Sequence, residues 1–216
     1  MNSREEILSR IRKALRRSSG GAPLEVREAV RRTLEAHMPG PRPPFDGQHI
    51  ERFRERALAM ACTVARVDTQ ENVPAAVAAY LSERGLPLKA VVWPELAGWG
   101  WESAGILAES RRPVGEDRVG ITGAFCAVAE TGTLVMLSGP ATPPAVSLVP
   151  ETHVAVVPVE RIVEALEDAW ALLRAERGKP PRAVNLISGP SRTADIEQTV
   201  TLGAHGPSRV HVILVG

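Results

Sequence analysis

Apolar residues recur at helical spacing along the first third of the chain. Ile7, Ile11 and Leu15 follow one another every four residues behind Ser3 and Glu6, which have the spacing of a capping box. "SSGG" (18–21) stops that helix. A second starts at Pro23, carries Leu24, Val30 and Leu34 on one side, and ends in the "MPGPRPP" stretch (38–44). The prolines from Pro39 to Pro44 form a stiff connector. The predicted organisation is therefore a helical extension with its linker over 1–44 and an α/β domain over 45–216. Behind Asp46, a candidate N-cap, Ile50, Phe53 and Ala57 predict a third helix, which leads into the strand "ACTVARV" (61–67). A fourth helix over 72–84 is closed by Gly85, and "LKAVVW" (88–93) reads as a strand. Strand, helix, strand in about 30 residues is the parallel unit of an α/β fold.

The pattern changes after residue 120. "GITGAFCAVAETGTLVMLSGP" holds two short β runs, 124–129 and 133–138, divided by "ETG", which predicts a β-hairpin. "HVAVVP" (153–158) is a further strand, and Ile162, Leu166 and Trp170 mark a long helix ending near Gly178. "AVNLI" (183–187) and "RVHVILVG" (209–216) are apolar without alternation, as strands covered on both faces are. The expected fold class is α/β: an open, mostly parallel sheet flanked by helices, with an N-terminal helical extension.

Composition narrows the function classes. The 216 residues are 44% hydrophobic but only 4% aromatic, which suits a Val, Leu, Ile and Ala core. Cys62 and Cys126 lie far apart in apolar surroundings, with no Cys-x-x-Cys and no His beside them. Two such thiols cannot supply a four-cysteine iron–sulfur cluster or a structural zinc site, so no metal is expected on this chain. No apolar stretch approaches the roughly 18 residues that span a bilayer, and the start lacks a secretory apolar core, so the expected location is the cytoplasm. The net charge of +1 conceals an uneven distribution: residues 1–32 hold nine Lys or Arg against four Asp or Glu. That front suits an acidic partner, although solvated helices carry such charge too. Dinucleotide-binding, P-loop, zincin and nucleophile-elbow fingerprints are absent.

Candidate chemistry concentrates in three segments. In "ISGPSRTADIE" (187–197), Gly189 and Pro190 allow a tight turn after the strand, and Ser191 or Thr193 is positioned to cap a helix beginning near Ala194. A helix start at the carboxyl edge of a sheet attracts anions through free backbone N–H groups and the helix dipole. An exposed dipole alone contributes about 0.3 to 1 kcal/mol, so Arg192, a permanently charged planar fork, would have to supply much of the rest. Asp195 and Glu197 also suit dipole-complementing first-turn residues, with Arg192 merely paired to one of them. In "AETGT", Glu130 ends an apolar strand and Thr131, Gly132 and Thr133 make the turn. A carboxylate there can serve as base, nucleophile or anchor, or be an ordinary turn residue. His205 and Gly206, in "GAHGPSRV", precede the last strand and can join the same rim. His153 at a strand start reads as structural, and Trp93, Trp99 and Trp101 as core rather than the floor of a pocket.

At "GITGAFCAVAETGTLVML", "SLVPETHVAVVP", "ISGPSRTADIE" and "GAHGP" the chain resembles the LUD-domain family of lactate utilization protein C, in order, from about Cys62 to Gly216. The resemblance implies the fold superfamily of ribose-phosphate isomerase, glucosamine-phosphate deaminase and CoA transferases. It also implies a place in a three-part bacterial system that converts L-lactate to pyruvate. There the iron–sulfur clusters belong to partner proteins and this chain would be the non-cluster subunit, with no cofactor of its own. Glu130 resembles the strand-end Glu of CoA transferases, but an acidic residue common in the family pattern is replaced here by Phe125. Glu130, Thr131, Gly132, Gly189, Arg192, Thr193, Asp195, Glu197, His205 and Gly206 match the family's motifs.

The sequence thus supports a subunit of an L-lactate-oxidising complex whose anion-binding cleft, for a small carboxylate or phosphate-bearing ligand, is lined by the Glu130 turn and the helix start at Ser191–Arg192. The alternative is a stand-alone transferase or ligase acting on CoA or phosphorylated substrates. A regulator touching nucleic acid is disfavoured, because "SSGGAP" is a poor helix-turn-helix turn and the excess charge is modest.

Overall fold

A computed structural model describes residues 3–15, 22–38, 40–44, 47–194, 200–203 and 205–216, without the side chains of 193, 194 and 200–202. It divides into two units, Met1–Arg42 and Pro43–Gly216. The first holds α1 (Ser3–Ala14) and α2 (Leu24–Ala36), neither with a buried residue. Asp46, the expected cap of the third helix, and the "SSGG" stop lie outside the described residues.

In the second unit the strands include β1 (Thr63–Val67), β2 (Lys89–Val92), β3 (Leu107–Glu109), β4 (Val119–Thr122), β5 (Cys126–Val128) and β6 (Thr133–Leu137). They continue with β7 (Thr152–Pro158), β8 (Ile162–Val163), β9 (Val184–Ile187), β10 (Arg192–Ala194), β11 (Val200–Leu202) and β12 (Arg209–Val215). The helices are α3 (His49–Ala59), α4 (Val73–Glu83), α5 (Ala145–Leu148) and α6 (Leu166–Arg177).

The α/β class is as the sequence predicts. Six strands form a sheet in the order β1-β12-β7-β4-β2-β3, with every neighbouring pair parallel. A second sheet runs β8-β5-β6-β9, in which β6 is antiparallel to both neighbours. The predicted "ETG" hairpin is the β5–β6 pair.

Period-two alternation explains why β5 and β6 are buried throughout. Ala127, Ala129, Leu134 and Met136 pack into the main core with the six-stranded sheet, α3 and α4. Their alternates Cys126, Val128, Val135 and Leu137 pack into a second cluster with Ala169 and Leu173 of α6. The small sheet is therefore a middle layer, apolar on both faces.

Two expectations are corrected. The helix after residue 158 starts at Leu166 rather than near Ile162, because Ile162 and Val163 are drawn into pairing with Ala127 and Val128. β12 is central and buried, as its apolar run requires, but β9 is an edge of the small sheet and leaves Leu186 46% exposed. The short strands β3, β4, β8, β10 and β11, and α5, carry too few residues to show a period and were not legible.

Candidate functional site

The motif-bearing segments converge where β1, β7 and β12 begin. α3 descends to that end, since Met60–Cys62 connect it to β1. The β5–β6 turn is tied to the end of β8 by Ala129 N–H donating to Val163 O (2.8 Å) and Glu130 N–H to Glu164 O (3.0 Å). Gly132 has φ +67° and lies so close to α3 that an added Cβ would sit 2.5 Å from Ala57 N. Gly189, at φ +90°, is seated against Met60 O in the same way. Glycine is required at both places for conformation and for close approach.

Between these two turns runs a chain of hydroxyls. The register Leu134↔Ile187 brings Thr133 beside Ser188, with the Thr133 Oγ1 2.7 Å from Ser188 Oγ and 2.7 Å from Thr131 Oγ1. Farther along, Ser191 N–H donates to Pro207 O (2.8 Å), and Gly203 N–H to Ser191 O (2.9 Å). Gly206 faces the Ser191 Cβ, and His205 beside it is exposed. Ser208 N–H donates to Glu151 O just before β7. Glu130 is half-buried and Arg192 exposed. Arg192 lies near enough to Cys62 to oppose the effect of burial, which nevertheless pushes that thiol up to about 11. Three segments spread over about 75 residues thus meet at one rim.

The expected helix start at Ala194 is overturned. Arg192–Ala194 is a strand paired antiparallel with Val200–Leu202, so among the described residues no helix starts at Ala194 to lend its dipole to an anion at Arg192. The rim also differs from the expected carboxyl edge. It follows the end of β9, but it sits at the amino end of the six-stranded sheet, because β9 belongs to the other layer. Asp195 and Glu197 lie outside the described residues, as does the side chain of Thr193.

At the opposite end, where β2, β4 and β7 finish, lies a groove whose charged residues belong to none of the motifs, although the sequence singles out Trp93 and Phe125 of its wall. One lobe, about 310 Å³, is lined by Glu95, Ser138, Arg177 and Lys179 with Leu137 and Pro181. The adjoining lobe, about 340 Å³, shares Glu95, Leu137, Thr142 and Arg177 and extends to Trp93, Phe125 and Arg161. Arg161 is immobilised: its Nε donates to Phe125 O (2.8 Å), both Nη atoms donate to Glu176 (2.6 and 3.1 Å), and the guanidinium lies 4.8 Å from the Phe125 ring centroid. Phe125 serves as its platform. Glu95 keeps exposed surface, yet surrounding protein displaces enough water to raise its pKa above the ordinary carboxylate value, with Arg177 pulling the other way. The available clue was positional, since the carboxyl ends of parallel strands are where ligands bind.

His153 and His211 are interior. His153 is fully buried, its Nε2 2.8 Å from Thr122 Oγ1 and its Nδ1 without a partner, and burial lowers its pKa to about 4. His211 stacks on Tyr80 with centroids 3.8 Å apart, bonds Thr63 through Nδ1, and is likewise lowered to about 4, by burial first and Arg84 second. Trp93 and Trp101 are core residues, each 2% exposed, with indole N–H groups donating to Pro143 O and Leu96 O. Cys126 is pushed up to about 12 by burial. Among the described residues no group of three His, Cys, Asp or Glu side chains is arranged to hold a metal ion, and no helix is long and apolar enough to cross a membrane.

The model of the LUD domain matches residues 108–215, which include Glu130, Arg192, Ser138, Arg177 and Lys179 but not Glu95. A lactate utilization protein C from Exiguobacterium is 31% identical over 229 residues, covering 100% of this chain and 96% of its own. The chain belongs to the LUD-domain family. The lactate utilization protein C of Bacillus subtilis is 37% identical over 120 residues, 54% of this LUD-domain chain and 50% of that protein. A crystal structure of a DUF162-family protein from Deinococcus radiodurans superposes with a TM-score of 0.62 at 24% identity, over 81% of this chain and 100% of that one, and shares the fold.

Proposed function

We propose that this LUD-domain chain acts in lactate utilization, as the non-cluster subunit of a cytoplasmic system that oxidises L-lactate to pyruvate. Membership of the family and the full-length similarity to a protein named lactate utilization protein C support the coarser role. The two electrons lost by lactate pass to iron–sulfur clusters on partner proteins, and the two protons are released to basic groups and solvent. Neither thiol of this chain suits a cluster, since burial holds both protonated and they lie in separate hydrophobic clusters. The anion site of this reading is the motif rim. Arg192 binds the carboxylate of the hydroxy acid, and Glu130 accepts a hydrogen bond from its hydroxyl.

The observation that carries the reading is the convergence of the Glu130 turn, the Ser188–Arg192 segment and the His205–Pro207 loop at one end of the domain. The test is reconstitution with the partner proteins and measurement of lactate-dependent acceptor reduction. Turnover should collapse when this chain is omitted, and fall strongly with Arg192→Ala or Glu130→Gln in a chain that remains folded. Undiminished turnover without the chain would refute the reading.

A further inference from the structure

We propose that the groove at the carboxyl ends of β2, β4 and β7 is a second ligand site, separate from the motif rim, which takes a small organic phosphate whose body carries a hydroxyl or amine donor. The argument starts from what its donors lack. Arg177 and Lys179 flank Gly178 just past α6 and both line the first lobe. Among the described residues neither side chain makes a hydrogen bond or an ion pair within 4 Å, and Arg177 is near enough to Glu95 and Glu176 only to lower both carboxyls through space. Arg161, by contrast, is closed in a bidentate pair with Glu176.

Ser138 adds a third donor. Its Oγ accepts the Ala183 N–H at 2.9 Å, and its own hydroxyl hydrogen has no acceptor among the described residues. Its backbone N–H is already committed to Ala183 O, which fixes the side chain at the lip of the groove. The wall therefore presents two positive charges and a hydroxyl donor beside one carboxylate, Glu95.

Charge and oxygen count select the ligand class. A carboxylate offers one charge and two oxygens, which Arg177 alone would satisfy. A phosphate monoester carries about −1.5 to −2 charges and three strong acceptor oxygens, matching two cations and a hydroxyl. Glu95, the acidic residue on this wall, is placed to accept from a donor on the body of the ligand. A cavity of about 310 Å³ lies at the lower end of the range for ligand pockets and exceeds what a three-carbon hydroxy acid fills. Leu137 and Pro181 supply the apolar wall.

This site stands independently of the lactate reading, and its test separates the two. Inorganic phosphate and glycerol 1-phosphate, with L-lactate as comparison, are titrated calorimetrically into the full chain and three variants. Wild type should bind both phosphates, and the double variant Arg177→Ala, Lys179→Ala, altered only at exposed positions, should weaken them on the order of tenfold or more. Glu95→Gln should leave inorganic phosphate binding unchanged or tighter, because a repulsion is gone, while reducing the preference for glycerol 1-phosphate over phosphate. Arg192→Ala should have no effect on either phosphate. Absence of phosphate binding, retention of it in the double variant, or its loss in Arg192→Ala alone would each overturn the proposal. An unchanged preference in Glu95→Gln would overturn the part given to Glu95. A loss of lactate turnover in Arg192→Ala with phosphate binding intact is the outcome expected if both readings hold.

Discussion

At the amino ends of β1, β7 and β12 the chain seats glycines against backbone and links hydroxyls from separate segments. At the carboxyl ends of β2, β4 and β7 it leaves cations facing water across an open groove. The first end is assembled by close approach: Gly132 against Ala57, Gly189 against Met60, Thr133 between Thr131 and Ser188. The second is assembled by leaving space, with charged side chains on its walls. Tight packing restricts residue type and so leaves a recognisable motif, whereas a groove wall tolerates many residues and leaves little local trace.

The contrast is broken most severely at Gly189. Gly189→Ala adds a Cβ at positive φ that collides with Met60 O, and should cost about 3 to 5 kcal/mol from strain and overpacking combined. At the groove, Gly139→Ala meets only the Thr142 hydroxyl at 3.0 Å and should change stability by less than about 1 kcal/mol. Urea midpoints measure both; equal losses would erase the distinction between the two ends.

Acid should act next, through the amino end. The pKa values of His153 and His211 are lowered in the folded chain from 6.5 to about 4, so the unfolded chain takes up protons first as pH falls. Their stabilising contribution is whole above about pH 6.5 and is lost progressively as pH falls towards 4. For His153 alone the full effect is about 3 kcal/mol. The salt-bridged carboxylates Glu109, Asp117, Glu151 and Glu176 have lowered pKa values and add their own loss at lower pH, so the histidine contribution is read between pH 6.5 and 4.5. His153→Asn should flatten the slope of unfolding free energy in that window, and an unaltered slope would contradict the assignment.

Smaller effects sharpen the comparison. Thr133→Val keeps the shape but removes the central hydroxyl, and should cost about 1 to 2 kcal/mol in chemical denaturation. Arg161→Lys at the groove loses the bidentate pair to Glu176 and the contact with Phe125, but Glu176 is partly exposed. The expected loss is only about 0.5 to 1 kcal/mol, measured in the same way.

Long, strongly patterned elements were legible. The strand at 63–67, helix α4, the β5–β6 hairpin and the last strand follow from hydrophobic runs and turn residues that local physics suffices to read. The site was legible as three motifs but not as a geometry. "SGPSRTADIE" has the composition of a helix start, and only the availability of Val200–Leu202 as a partner decides that Arg192–Ala194 is a strand. Leu186 looked like core because its run is apolar, yet no strand lies beyond β9 in its sheet to show that in advance.

By itself the sequence determined the family, the α/β class, the places where glycine is obligatory and the burial of two inert thiols, because these depend on residue type and on patterns within about 20 residues. Tertiary structure decided which end of the sheet each motif occupies, because the short link from β4 to β5 turns the chain into a second layer running back towards the amino ends. The same layering gathered Glu95, Ser138, Arg177 and Lys179, distributed over 85 residues, around one groove. Convergence of that kind is a property of the packed layers, and no single stretch of the chain encodes it.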